Sequence, residues 1–377
     1  MSNNTKVIIK KLLVYNTTNH SNQEGGYTLP LLKYVEKEIG SSDVEIQIQE
    51  YQVETVINGN KKKLTKRGNL IAYIKGCRKP KILLQGHVDT VPNESDFTPK
   101  VTNTTATGRG AVDMKGPVTG LISTFKELTE KPGELQYSPV LLLTSDEEAH
   151  NFAGIKHFLR NPPINLDTIK SGICGEPTNL KVKNKLYGAM YLILETHGKE
   201  GHPAMRNSEN AIEKAIPILE KINRFKKYLD KKEISLFGIS VLNIGVINGG
   251  IKVNVVPSCC QIQLSIRNAE PAAKVEQMLR EALKDEDVEI KSIFTYDPYT
   301  VNGQIFKNEG TGNKLNISNE PAAFMTEATF LNQAGIPTVV YGPGNPNLAH
   351  ADPKEEKILI TDIERYSDSL KSFFLGN

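Results

Sequence analysis

His87 and Asp89 stand two residues apart where the apolar run Ile82-Leu83-Leu84 opens into Gly86-His87-Val88-Asp89-Thr90-Val91-Pro92. Residues two apart in an extended chain face the same side, so both side chains can share one space at the strand's carboxyl end. That end is where open α/β sheets place their ligands. A histidine beside a carboxylate suits a metal site, with the acid fixing the imidazole tautomer. A polar turn is the competing reading of this stretch alone. Further candidates follow along the chain. Asp113 lies in the glycine-rich GRGAVDMKG ahead of a helix starting near Pro117, where an ordinary cap or dipole partner is the alternative. The strand Val140–Thr144 ends in Ser145-Asp146-Glu147-Glu148. Such neighbouring carboxylates either form a solvated turn or, if buried, call for a cation. One of two adjacent glutamates can ligate a metal while the other serves as general base on water.

Ser171–Gly175 then leads to Glu176, and the apolar segment Thr338–Tyr341 runs into GPGNPNLAH, which delivers His350. Each is unremarkable singly. Together, two histidines and several carboxylates that all follow strand-like or glycine-loop segments suit zinc and neighbouring divalent ions. They suffice for a two-metal site with one bridging carboxylate, the ions about 3.5–4 Å apart.

The elements that must position these residues are legible in outline. Up to about residue 186, helical and extended segments alternate. A helix is expected over Tyr27–Ile39, others over Gly116–Leu128 and Ala153–Leu159, and strands at Val44–Val56, Asn69–Ile74 and Lys81–Leu84. This predicts a layered α/β domain with a central sheet. From about Tyr187 the order becomes β-α-β-β-α-β, the ferredoxin-like split unit. Its first helix carries Ile212, Ile216, Leu219, Ile222, Phe225 and Leu229 as one apolar stripe. The expected division is 1–186 and 297–377 for the α/β domain, with 187–296 as an inserted α+β domain. Lys61-Lys62-Lys63 with Lys66 and Arg67, after the turn signal Asn58-Gly59, reads as a solvated hairpin rim rather than a nucleic-acid patch.

Lys plus Arg is 46 against Asp plus Glu 43, a net charge of +3, so no strong field favours nucleic acid or an anionic membrane. No apolar run approaches the ~18 residues of a membrane span, and the amino-terminal MSNNTKVIIKKLL lacks a signal-peptide core. Cys77, Cys174, Cys259 and Cys260 form no CxxC pattern, and the adjacent pair is a poor disulfide. A reduced, cytoplasmic protein is expected.

With TTN near Thr17, GHVDTVP, GRGAVDMKG, TSDEEA, GEPT, the GH…NAI segment, NVVP…R and YGPGN…AH in order, the chain resembles a family of metal-dependent amidohydrolases and exopeptidases. It includes acetylornithine deacetylase, succinyl-diaminopimelate desuccinylase, aminoacylase and the glutamate carboxypeptidases. The resemblance spans nearly the whole chain. It implies that His87 and Glu176 hold one metal, Glu148 and His350 the other, and that Asp113 bridges them. Asp89 would orient His87, and Glu147 would be the general base. His202, on the inserted lid and dimerisation domain, would reach a partner subunit's site in a homodimer and stabilise an oxyanion. Asn254 and Arg267 would bind the substrate carboxylate. Two divalent ions are implied, zinc first, with cobalt or manganese as alternatives.

TSDEEA, GEPT, Cys259-Cys260 and Thr326-Glu327-Ala328 are most similar to acetylornithine deacetylase. The expected substrate is therefore an N-acyl amino acid. A succinyl-diaminopimelate desuccinylase, a lysine-releasing hydrolase of amino-acid biosynthesis, or a di- or carboxypeptidase acting on a short peptide is the alternative. Pro203, Ala204 and Glu209, and the spacing from His350 to Glu355-Glu356, depart from the family pattern.

Overall fold

Four segments dominated by apolar residues run parallel, Lys81–His87, Ser138–Thr144, Ile169–Cys174 and Thr338–Val340. Every residue of Ser138–Thr144 is buried, as expected of a strand covered on both faces. The computed structural model describes residues 2–18, 28–57, 61–92, 97–149, 152–204, 208–234, 236–302, 317–322 and 324–376. Two units divide the chain. The first comprises Met1–Asn184, Val301–Asn319 and Thr326–Asn377; the second comprises Lys185–Thr300 and Glu320–Met325. Ala322 joins the second unit because its N–H donates to Lys185 O and its C=O accepts from Tyr187 N.

The parallel strands form the middle of a mixed sheet of eight described strands. The order is Val44–Ile57, Lys61–Ile74, Ser138–Thr144, Lys81–His87, Ile169–Cys174, Thr338–Val340, Val182–Lys183 and Ile317–Ser318. Parallel pairing brings their carboxyl ends to one edge: His87 lies opposite Thr144, Gln85 opposite Cys174, and Val340 opposite Cys174. The helix Lys115–Thr129 packs on this sheet and is buried along most of its length. Its approach is close. A Cβ on Gly86 would stand 2.9 Å from Met114 Cε and 3.0 Å from Val118 Cγ2. The helices Ser2–Val14 and Ile360–Leu375 pack against it in turn. No described helix is long and apolar enough to cross a membrane.

The hairpin reading needs one correction. Lys66 is exposed and pairs with Glu50, as a solvated rim requires. Arg67 is buried, and its Nε donates to Asp146 Oδ1 at 2.9 Å. Alternate strand residues face opposite sides, and Arg67 takes the side turned toward the 145–148 turn. Asn58-Gly59 and the side chains of residues 61–63 lie outside the described residues.

The second unit has the expected β-α-β-β-α-β order: Gly188–His197, Ala211–Leu229, Val241–Gly249, Cys259–Asn268, Ala272–Ala282 and Glu289–Tyr296. Its antiparallel sheet runs Val241–Gly249, Cys259–Asn268, Gly188–His197, Glu289–Tyr296. Asn210 caps the first helix by accepting from Ile212 N and Glu213 N. The buried stripe of that helix differs from expectation. Ala211, Ala215, Ile218, Ile222, Phe225 and Leu229 face the core, whereas Ile212 and Ile216 are exposed. Apolar residues cover more of the circumference than one sheet can bury, and the small Ala211 and Ala215 allow the closer approach.

Glu327 tests how the first unit tolerates buried acid. It is fully buried, accepts from Thr144 Oγ1 and Gln85 Nε2, and burial pushes its carboxyl up to about 8. The fold thus holds a proton that the unfolded chain releases near the usual carboxylate value, so this group's stabilisation is complete in acid and is lost as pH rises toward 8. Glu327→Gln keeps the shape and removes the titration. Chemical denaturation between about pH 5 and pH 8 should show wild type losing stability relative to Glu327→Gln, by up to ~1.4 kcal/mol per pH unit. Parallel pH profiles would contradict it.

Candidate metal centre

Three of the four parallel strand ends carry an acid or a histidine to the same edge, and two loops deliver Asp113 and His350. His87 closes its strand. Its Nδ1 donates to the main-chain oxygen of Asp89 at 3.0 Å, which turns Nε2 toward carboxylates. Nε2 lies 3.1 Å from Asp113 Oδ1, 3.7 Å from Glu176 Oε1 and 4.0 Å from Glu147 Oε2. His350 Nε2 lies 3.0 Å from Glu148 Oε1 and 3.3 Å from Asp113 Oδ2. The two oxygens of Asp113 are therefore divided between the two histidines. His87, Asp113 and Glu148 each offer a ligand atom, all within 4.8 Å of one another.

Asp113 is not the cap of the following helix. Met114 occupies that position, without a side-chain capping bond. The loop is instead held from behind by Glu356, which is fully buried. Its Oε1 accepts from Val112 N at 3.1 Å and Asp113 N at 3.4 Å, and Oε2 accepts from Arg109 Nη1. Asp89 also acts differently from expectation. Its carboxylate Oδ1 is 3.7 Å from His87 Nδ1, beyond hydrogen-bond reach. It accepts instead from Glu147 N at 3.3 Å and Glu148 N at 2.9 Å. Asp89 therefore orients His87 through its main chain and the two glutamates through its side chain.

The turn bearing those glutamates is strained at its start. Asp146 has φ +67°, a left-handed conformation that non-glycine residues enter rarely and mostly as Asp or Asn. Arg67 and Tyr51 hold it there, Arg67 Nε on Oδ1 and Tyr51 Oη on Oδ2 at 3.0 Å. His350 is likewise left-handed, φ +61°, and with its side chain 48% exposed it forms the open lip of the cluster. Strain of this kind is characteristic of functional sites.

The electrostatics follow from confinement. Burial drives Glu147 and Glu176 well above the usual carboxylate range, and neighbouring acids add to it. Burial also pushes Asp89 up to about 7. Burial opposes charge on His87, but Glu176, Asp113 and Glu147 outweigh it and raise the imidazole well above its ordinary value. Hydrogen bonds to Asp113 and Glu148 raise His350 to about 10. For Asp113, burial is outweighed by the bonds from His350 and His87, which hold it below its usual range. The pocket keeps protons where positive charge is needed. A dication that meets imidazole and carboxylate donors fits the same need.

The structure brings together His87, Asp89, Asp113, Glu147, Glu148, Glu176 and His350, all in the first unit. His202, Asn254 and Arg267 belong to the second. His202 is exposed, and its Nδ1 accepts from Ala204 N. Asn254 is exposed in a turn. Arg267 lies on Cys259–Asn268 with Nη1 buried and unpartnered among the described residues. Sequence reasoning missed Arg67, Tyr51 and Glu356 as supports. Their signal is weak, because each acts on a loop far away in sequence.

A model of peptidase family M20/M25/M40 matches residues 83–375. A probable carboxypeptidase of Ajellomyces capsulatus is 29% identical over 335 residues, which cover 80% of this chain and 72% of that protein. An acetylornithine deacetylase of Buchnera aphidicola is 27% identical over 306 residues, covering 76% and 78%. Among solved structures, an M20 family metallo-carboxypeptidase from Sulfolobus solfataricus has a similar fold. Its TM-score is 0.71 at 18% identity, over 98% of either chain.

Removing one partner of a buried ion pair strands the other. Arg67→Met should lower unfolding stability by about 3–5 kcal/mol, measured by chemical denaturation. Lys66→Met, on the exposed side of the same strand, should change it by less than about 0.5 kcal/mol. Equal effects would remove Arg67 as the anchor of Asp146.

Proposed function

The chain belongs to peptidase family M20/M25/M40, and on that premise we propose that this metal-dependent hydrolase cleaves the amide of an N-acyl amino acid, as an acetylornithine deacetylase does. The observation that carries the chemistry is the sharing of Asp113 between His87 and His350. His87 and Glu176 would hold one ion, Glu148 and His350 the other, with Asp113 common to both. Imidazole with carboxylate favours zinc, with cobalt and manganese as alternatives. Bound there, the ions supply a lowered water pKa and polarisation of the scissile carbonyl.

The remaining steps fall to the protein. Glu147 stands beside the cluster, its Oε2 being farther from His87 Nε2 than either Asp113 or Glu176. A carboxylate off the first ring of ligands can take a proton from the attacking water and deliver it to the leaving amine nitrogen. Asp89 keeps Glu147 and Glu148 in register by holding both amides. His202 accepts at Nδ1, so its neutral ring carries the proton on Nε2, the arrangement needed to donate to an oxyanion. Arg267 has a buried guanidinium nitrogen with no partner among the described residues, and a substrate carboxylate is given to Arg267 together with Asn254.

The choice of acyl amino acid over peptide rests on the TSDEEA, GEPT and Thr326-Glu327-Ala328 segments and on the deacetylase relative. The carboxypeptidase relative supports the peptide alternative. Assay of N-acetyl amino acids, succinyl-diaminopimelate and dipeptides with added zinc or cobalt separates them. Turnover of dipeptides alone would overturn the deacylase assignment. Glu147→Gln should lower kcat by at least about 10²–10⁴-fold with metal content unchanged; wild-type turnover would remove Glu147 as the base.

A homodimer is the expected assembly. Val241–Gly249 is an edge strand with Val241, Val246 and Ile247 exposed, and Ile212 and Ile216 are exposed on the helix that packs against it. An open apolar edge invites pairing with a second copy. Light scattering should give twice the chain mass for wild type and the chain mass for Ile247→Glu. If His202 serves a partner's site, that monomer also loses turnover while keeping its metal. A wild-type monomer would refute the assembly.

A further inference from the structure

A second group of unlike donor atoms lies in the second unit. His197 ends the strand Gly188–His197, Cys259 begins Cys259–Asn268, and the antiparallel register sets them directly opposite each other. Glu195 stands two residues before His197, opposite Gln261 on one side and Glu289 on the other. Alternation places Leu192, Leu194, Cys260, Ile262 and Leu264 in the core. Glu195, His197 and Cys259 consequently share the opposite face. The geometry is tight. Cys259 Sγ lies 3.5 Å from Glu195 Oε1, His197 Nε2 lies 3.6 Å from that same oxygen and 3.5 Å from Glu289 Oε2. The three donor atoms of Glu195, His197 and Cys259 all fall within 4.8 Å of one another.

These separations have a chemical meaning. Bonds of about 2.3 Å to sulfur and about 2.0–2.2 Å to nitrogen and oxygen, arranged tetrahedrally, place neighbouring donors roughly 3.3–3.7 Å apart. Glu195 is oriented for the task. Its Oε2 is occupied by Gln261 Nε2 at 3.1 Å and Lys291 Nζ at 3.4 Å, leaving Oε1 turned to the sulfur and the imidazole. Lys291 also neutralises Glu289 at 3.3 Å. Two carboxylates, one thiolate, Lys291 and a dication sum to zero charge. A surface salt-bridge network explains Glu195, Glu289 and Lys291. It does not explain a thiol and an imidazole converging on one carboxylate oxygen.

We propose that Glu195, His197 and Cys259 form a second metal site, with Glu289 available as a fourth ligand, for a thiolate-accepting dication of the zinc class. On binding, the Cys259 S–H proton leaves to solvent and the sulfur lone pair goes to the ion. Magnesium and calcium are disfavoured, because sulfur and imidazole are not their ligands. The site is structural in kind. Immediately beyond it, Gly198 N donates to Ser258 O, Lys199 pairs with Glu209, and Gly201 bridges Val256. An ion joining His197 to Cys259 would clip together the roots of the segments that carry His202 and Asn254.

Cobalt(II) is the probe, since a cobalt–thiolate bond produces a sulfur-to-metal charge-transfer band in the near ultraviolet that imidazole and carboxylate ligands alone do not. The full chain, stripped of metal and titrated with cobalt, should show this band, and zinc should bleach it. Cys259→Ser and His197→Ala should each lose it while keeping the wild-type circular dichroism. His87→Ala should retain it, which separates this site from the cluster at Asp113. A saturated wild type without the band, or a band that survives Cys259→Ser, would overturn the proposal.

Discussion

Asp89, Asp113, Glu147, Glu148 and Glu176 meet at one edge of a sheet whose central parallel strands are covered on both faces. Their mutual repulsion, together with the cost of taking charge out of water, is the constraint around which the first unit is built. Two imidazoles offset part of it, and raised carboxyl pKa values offset more by retaining protons. The arrangement is tolerable only because each acid is held where positive charge will also be held. Imprecision would be expensive, since a carboxylate displaced from the shared centre keeps its desolvation penalty and loses its partner.

The supports are correspondingly deep. Asp89 grips the Glu147 and Glu148 amides from one side, while Arg67 and Tyr51 hold Asp146 in its left-handed turn from the other. Glu356 fastens the Asp113 loop to the segment following His350. In this way the two histidines and Asp113 between them, far apart along the chain, are tied to a common frame. Glu327 lies behind them on Thr144 and Gln85, a second layer in which a protonated carboxyl bonds to the strands that end in the site.

The second unit works by different physics. Its sheet buries one face against two helices and leaves the other face, one edge strand and the Ile212–Ile216 side of a helix open. The donors proposed for substrate recognition and those proposed for a second metal ion lie on or next to this uncovered surface. A stable scaffold with one bare face can change its exposed residues without disturbing its core, and the departing Pro203, Ala204 and Glu209 are all exposed.

Local periodicity made much of this legible in the residues alone. His87 and Asp89 had to share a side because strand side chains alternate. The acids of 146–148 and Glu176 had to follow apolar strands, and the β-α-β-β-α-β order could be read from the spacing of apolar residues. What sequence did not reveal has a common cause: the partner lies far away along the chain. Arg67 sits in a run of lysines and reads as solvated until Asp146 is placed beneath it. Ile212 and Ile216 read as core until Ala211 and Ala215 are seen to permit the closer packing. Glu356, Glu327 and the opposition of His197 to Cys259 are set by strand order and register. The sequence by itself determined which chemical groups stand at the ends of which strands, because alternation and apolar runs are short-range properties. Only the tertiary structure decided which of those groups face one another, because that depends on parallel pairing and on side chains packing across the sheet.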